Sequence, residues 1–177
     1  MTGRTPTATT NLDIYGDAEL PWSRPLQRLQ QDTATPEITW FLGTVRPDGR
    51  PHAAGIGGLW HEDELYFTSS PNARKAKDLS ANPAATLSVR LPTIDLVFEG
   101  RVERVTDAAT LETVAERYRD GGWPAQVEGD ALTAPFSAPS AGPPPWNVYR
   151  FVYDVVFGVA TAEPYGATKW SFSGQDR

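Results

Sequence analysis

From residue 38 onward the apolar positions follow a strand period, then a helix period, then a strand period again. Residues 38–45 are β-branched and aromatic, as on a half-buried sheet strand. Arg46-Pro47-Asp48-Gly49-Arg50 then reads as a tight turn: proline presets φ and glycine accepts positive φ. A second strand is expected over 52–60, a turn at His61-Glu62-Asp63-Glu64 and a third strand over 65–68, an antiparallel meander. After Thr68 the period becomes helical. Ser69-Ser70-Pro71 offers an N-cap followed by proline, residues 72–81 supply two to three turns, and Asn82-Pro83 stops them. Strands are expected again over 85–91 and 96–105. In the latter, Leu96, Phe98 and Val102 alternate with Asp95, Glu99, Arg101 and Glu103. Thr106-Asp107 caps a helix over 108–118 with Leu111, Val114, Ala115 and Tyr118 at core spacing. A long strand over 149–160 is expected to carry Tyr149, Phe151, Tyr153, Val155 and Phe157 on one face, and a last strand covers 168–172.

The flanks and one internal stretch lack such periods. Residues 1–20 are polar and Thr-rich and are expected to be a disordered tail, followed by a short helix over 22–31 with Pro25 in its first turn. Residues 21–177 read as one domain interrupted by a loop at 121–146 rich in Pro, Gly and Ala. A loop of that length is a lid, an interface arm or a disordered segment. Trp123, Phe136 and Trp146 within it are candidate substrate-facing aromatics, and the aromatic cluster of the long strand reads as core or dimer interface. Six or seven antiparallel strands with accessory helices make a mainly β fold, a closed or split β-barrel. Gly55, Gly57 and Gly58 inside one strand fit either the sharp coiling of barrel closure or the close approach of a flat ligand.

Composition narrows the chemistry. With no cysteine, disulfides, thiolate nucleophiles and thiolate metal sites are excluded together. Two histidines, His52 and His61, are too few for most all-protein zinc sites. His61-Glu62-Asp63-Glu64 holds metal-ligand residue types but lies in an expected hairpin turn, where charge is ordinary. The net charge of −6 argues against a nucleic-acid partner. No run of the roughly 18 apolar residues needed to span a membrane occurs. The polar N-terminus has no secretory h-region, so a cytoplasmic setting is expected. There is no G-x-S-x-G, no G-x-x-x-x-G-K-[ST] and no G-x-G-x-x-G opening a helix. If the protein is an enzyme, a bound cofactor carries the chemistry.

Arg74, Lys75 and Lys77 stand in the first half of the expected helix. A helix N-terminus carries about half a positive charge, so each cation there costs roughly 0.3–1 kcal/mol. An anion held by the free N–H groups, the Ser69 or Ser70 hydroxyl and these cations removes the conflict. A solvated basic patch is the other reading.

Residues 39–52 and 65–69, the run Arg74-Lys75-Ala76-Lys77-Asp78-Leu79, Asn82-Pro83 and residues 97–107 resemble the pyridoxamine 5′-phosphate oxidase-like split-barrel superfamily. The ending Ala167-Thr168-Lys169-Trp170-Ser171-Phe172 resembles its actinobacterial flavin/deazaflavin branch. The resemblance covers about 38–118 and 147–172. It implies a homodimeric oxidoreductase that moves a hydride between FMN or F420, bound at the subunit interface, and a small organic substrate. It places the cofactor phosphate at Ser69, Arg74, Lys75 and Lys77. It lays the ring along Pro51, His52, Ala53, Ala54 and Ile56, and brings Trp170 to the cofactor or partner subunit; a core tryptophan is the other reading. The basic run and the ending favour F420 over FMN. Asp78 stands where many relatives have asparagine, and pairing with Lys75 or Arg74 is one expectation for it. Nothing resembles the C-terminal arginine motif through which pyridoxamine-phosphate oxidases hold their substrate. The alternatives are a flavin- or haem-binding protein without catalysis, and an FMN-dependent pyridoxamine 5′-phosphate oxidase or flavin reductase.

Overall fold

The computed structural model describes residues 4–32 and 38–172. Eleven strands and three α-helices follow in the order β1 (Ala8–Asn11), α1 (Ser23–Asp32), β2 (Trp40–Val45), β3 (Pro51–Ile56), β4 (Gly58–His61), β5 (Glu64–Ser69), α2 (Arg74–Ala81), β6 (Ala84–Leu91), β7 (Ile94–Val105), α3 (Ala108–Asp120), β8 (Gln126–Glu128), β9 (Ala131–Thr133), β10 (Asn147–Ala160) and β11 (Ala167–Ser171). Nine strands share one antiparallel sheet, and β8 pairs with β9 separately.

Closure comes from one bent strand. β3 pairs with β2, β4 pairs with β5, and only Gly57 separates β3 from β4. With β5 on β10, β10 on β7, β7 on β6 and β6 on β2, the hydrogen bonds run full circle. The fold is the mainly β split barrel that the pattern predicts. Gly58 just past the corner is required by packing: a Cβ there would meet the Trp40 indole at 2.6 Å. The split lies on β10, whose first half pairs with β5 and whose second half pairs with β11.

The exchange of partners coincides with a bulge. Tyr153 opposes Gly100 and Val155 opposes Glu99, so Asp154 is an extra residue. One inserted residue moves all later side chains to the other face. Tyr149, Phe151 and Tyr153 are therefore buried in the barrel, but Val156 continues their row. Val155 and Phe157, expected on the same face, lie half-buried on the outside.

Two further expectations are corrected. Residues 8–11 of the expected disordered tail form β1, which pairs with the free edge of β11. All four residues are exposed, so backbone hydrogen bonds rather than apolar burial fix them. Arg4 ties the segment down further: its guanidinium lies 4.3 Å over the Tyr153 ring and donates to the Tyr153 carbonyl at 2.9 Å. The 121–146 stretch is not a bare loop either. It contains the β8–β9 hairpin; Ala125 and Leu132 are buried in a second core cluster with Leu111, Val114 and Val148, and Trp146 is buried with its ring 5.5 Å from that of Trp123. Residues 1–3 of the expected tail and 173–177 of the expected domain lie outside the described residues. Among the described residues no helix is long and apolar enough to cross a membrane.

Candidate functional site

The end of β5 decides where α2 begins. Ser69 is the last residue of β5 and pairs with Asn147 of β10, so it cannot serve as a helix cap. α2 starts at Arg74 after Ala73, with no side-chain cap and no acidic residue in its first turn. Arg74 and Lys75 are thus the first two helical residues, closer to the positive end of the dipole than the sequence placed them.

Asp78 does not answer these cations. It is completely buried beneath α2, where one carboxylate oxygen accepts a hydrogen bond from the Thr44 hydroxyl at 3.1 Å. The expected pairing with Lys75 or Arg74 is not made; Asp78 instead pins α2 onto β2. Lys75 is half-buried, and desolvation lowers its pKa below the ordinary lysine value. No carboxylate pairs with it among the described residues.

Lys75 stands on the wall of a cavity of about 250 Å³. Gly55, Ile56 and Gly57 at the barrel corner line it. Thr68, Ser69 and Ser70 at the end of β5 line it too, as do Tyr118, Trp123, Ser137, Ala138 and Ala141. The stretch 121–146 therefore covers the cavity. Trp123 is held there by its indole N–H, which donates to the Phe136 carbonyl at 2.7 Å, and by edge-on contact with Tyr118. Of the other aromatics expected to face substrate, Trp146 is 2 % exposed, packed against Trp123, and Phe136 lies out on the surface.

The sequence-derived residues divide three ways. Ile56, Ser69 and Lys75 meet in this cavity. Pro51, His52 and Ala53 line a different hollow on the outer sheet face, with Gly43, Thr86 and Glu99. Arg74 and Lys77 are exposed on α2, and Ala54 is half-buried on β3 between the two hollows. Trp170 takes the second of its two readings, a core tryptophan, and not the approach to the cofactor. It is fully enclosed, its indole N–H donates to the Leu20 carbonyl, and Trp22 packs edge-on against it. It touches neither hollow, because the barrel interior takes up its side chain. Tyr118 and Thr68 belong to the site although the sequence did not single them out. Among the described residues no group of acidic or histidine side chains is arranged to hold a metal.

A half-buried ammonium with no counter-ion, faced by hydroxyls at an uncapped helix start, fits an anion such as a phosphate ester. Fold and site together define a class: a split β-barrel with a cavity lined by a lysine and hydroxyls where the barrel turns its corner. The chain belongs to the family described as pyridoxamine 5′-phosphate oxidase, whose model matches residues 30–137. It is 28 % identical over 174 residues to a pyridoxine/pyridoxamine 5′-phosphate oxidase of Myxococcus xanthus, covering 86 % of this chain and 84 % of that one. A second, from Acidothermus cellulolyticus, is 32 % identical over 103 residues; that match covers 55 % of this chain and 46 % of the relative's length. Among solved structures, a pyridoxamine 5′-phosphate oxidase-related, FMN-binding protein of Nostoc punctiforme superposes with a TM-score of 0.54 at 19 % identity, covering 90 % of this chain and 99 % of that one.

Proposed function

We propose that the protein is a homodimeric oxidoreductase that binds FMN or the deazaflavin F420 with its phosphate against Lys75. The observation that carries this reading is the unpaired, desolvated Lys75 ammonium on a hydroxyl-lined wall. Such a cofactor, when bound, supplies hydride transfer to or from a small organic substrate. The chain's own residues would do three things: Lys75 with Ser69 and Ser70 would hold the phosphate, the Gly55–Gly57 corner would admit a flat ring, and Trp123 with Ala138 and Ala141 would keep water out.

Cavity size supports the dimer. Small-molecule sites usually enclose about 300–1,000 Å³, and this one, near 250 Å³, suits the phosphate-bearing end of a flavin rather than all of it. The rest of the cofactor would lie at the mouth. There the sheet is apolar: Phe41 and Val97 are 52 % and 40 % exposed. They share one cross-strand row through Ser88, and Phe41 opposes Gly55, which lines the cavity. A second copy seated on that row would cover both the apolar face and the ring. Phe41→Asp is accordingly expected to leave the fold intact and to give a monomer with weakened flavin binding, read by light scattering and fluorescence titration. A dimer that persists unchanged would count against this interface.

The main test is titration of the purified protein with FMN and with F420, followed by hydride exchange with the reduced form of whichever binds. Sub-micromolar binding of one of them is expected. If neither binds below the micromolar range, the proposal fails.

A further inference from the structure

Tyr118 is the cavity's unexplained polar group. It lies near the end of α3, where Leu111, Val114 and Ala115 bury the helix against the outside of the barrel. The Tyr118 ring packs with them and meets Trp123 edge-on at 5.1 Å. Its hydroxyl oxygen is enclosed and has no hydrogen-bond partner. Burial pushes this hydroxyl up from the ordinary tyrosine value; the Thr68 side chain opposes the shift, but no hydrogen bond of ordinary geometry joins the two. An enclosed donor without an acceptor costs about 1–3 kcal/mol, so it persists where something else repays it. The residue lines the same 250 Å³ cavity as Lys75, Ser69 and Ser70.

We propose that the Tyr118 hydroxyl is a further ligand of the cofactor's phosphate, contributed by α3 to a site that α2 supplies with charge. This rests on the reading of the cavity as a phosphate site and adds a donor from a different element. The chemistry suits the role. A phenol that keeps its proton donates to a phosphate oxygen over the whole physiological pH range without adding charge. Lys75 then supplies the charge, and Tyr118 and the serines supply direction. A phosphate oxygen in the cavity would supply the acceptor that Tyr118 lacks.

The test compares each cofactor with its phosphate-free form: FMN with riboflavin, and F420 with its deazaflavin alcohol precursor. Affinities are measured by fluorescence titration for the wild type and Tyr118→Phe, which retains the ring and its packing. Tyr118→Phe is expected to weaken the phosphorylated form about ten-fold and to leave the phosphate-free form unchanged, with the apo unfolding midpoint no lower than in the wild type. If the wild type discriminates between the two forms and Tyr118→Phe discriminates equally well, the Tyr118 assignment is overturned and the Lys75 site stands. A wild type that binds both forms equally, or neither, overturns the phosphate reading of the cavity and this inference with it.

Discussion

Trp170→Ala is expected to destabilise the protein by about 3–5 kcal/mol, a large share of the roughly 5–15 kcal/mol that holds a domain of this kind folded. The indole is fully buried and satisfied by the Leu20 carbonyl 3.1 Å away. β10 has made room for it: a Cβ on Gly158 would come within 2.7 Å of the six-membered ring. Trp22, just ahead of α1, is edge-on at 5.4 Å, so removing Trp170 leaves Trp22 and the β10–β11 pair facing a void. Denaturant unfolding measures the loss. Trp170→Phe, which refills most of the volume but abandons the hydrogen bond, is expected to cost less. Folded Trp170→Phe protein is expected to bind the cofactor with wild-type affinity. A selective loss of cofactor binding with unchanged stability would return Trp170 to the site.

Why Trp170 reads as ambiguous in sequence, and β2–β3 does not, follows from what fixes each. The hairpin is specified locally: Gly49 takes φ of +82°, and the Asp48 carboxylate accepts from the Arg50 amide and side chain. Helix α3 is likewise announced by its cap, where Asp107 accepts from the Thr110 amide. Three features are set by distant partners and leave no such mark. The alternation from Tyr149 to Phe157 continues unbroken through the bulge at Asp154, so nothing local reveals the change of face. β1 buries no side chain, and its pairing is visible only in the free edge of β11. Ser69 and Ser70 look like a cap, but β10 claims Ser69 as a strand partner. The site divides in the same way. The sequence singles out Lys75 because a cation at a helix start is out of place without an anion. Tyr118 is not singled out, because its spacing from Leu111, Val114 and Ala115 is that of a core residue, and only the fold shows that it lines the same cavity as Lys75 and that its hydroxyl lacks a partner.

Lys75→Gln is expected to weaken binding of the phosphorylated cofactor roughly 10–150-fold, the range of about 1.5–3 kcal/mol for a hydrogen bond to a charged group. The phosphate-free form should bind as before. The same substitution is expected to raise the thermal midpoint of the cofactor-free protein. Desolvation holds the folded Lys75 below the ordinary lysine value of 10.5, so between the folded pKa and the unfolded one the unfolded chain binds more protons. Stability of the cofactor-free protein therefore rises with pH across that window, and below it the charged lysine is a standing cost that glutamine removes. Cofactor binding depends on pH in the opposite sense. As pH rises through the lowered pKa the ammonium is lost, and affinity for the phosphate falls sooner than an ordinary lysine would allow. The two trends separate a binding lysine from a merely buried one. If Lys75→Gln raises stability but leaves affinity and its pH dependence untouched, the ammonium is strained without holding an anion. If affinity falls and stability rises together, the strain is the counterpart of binding, as expected of a site shaped around an absent charge.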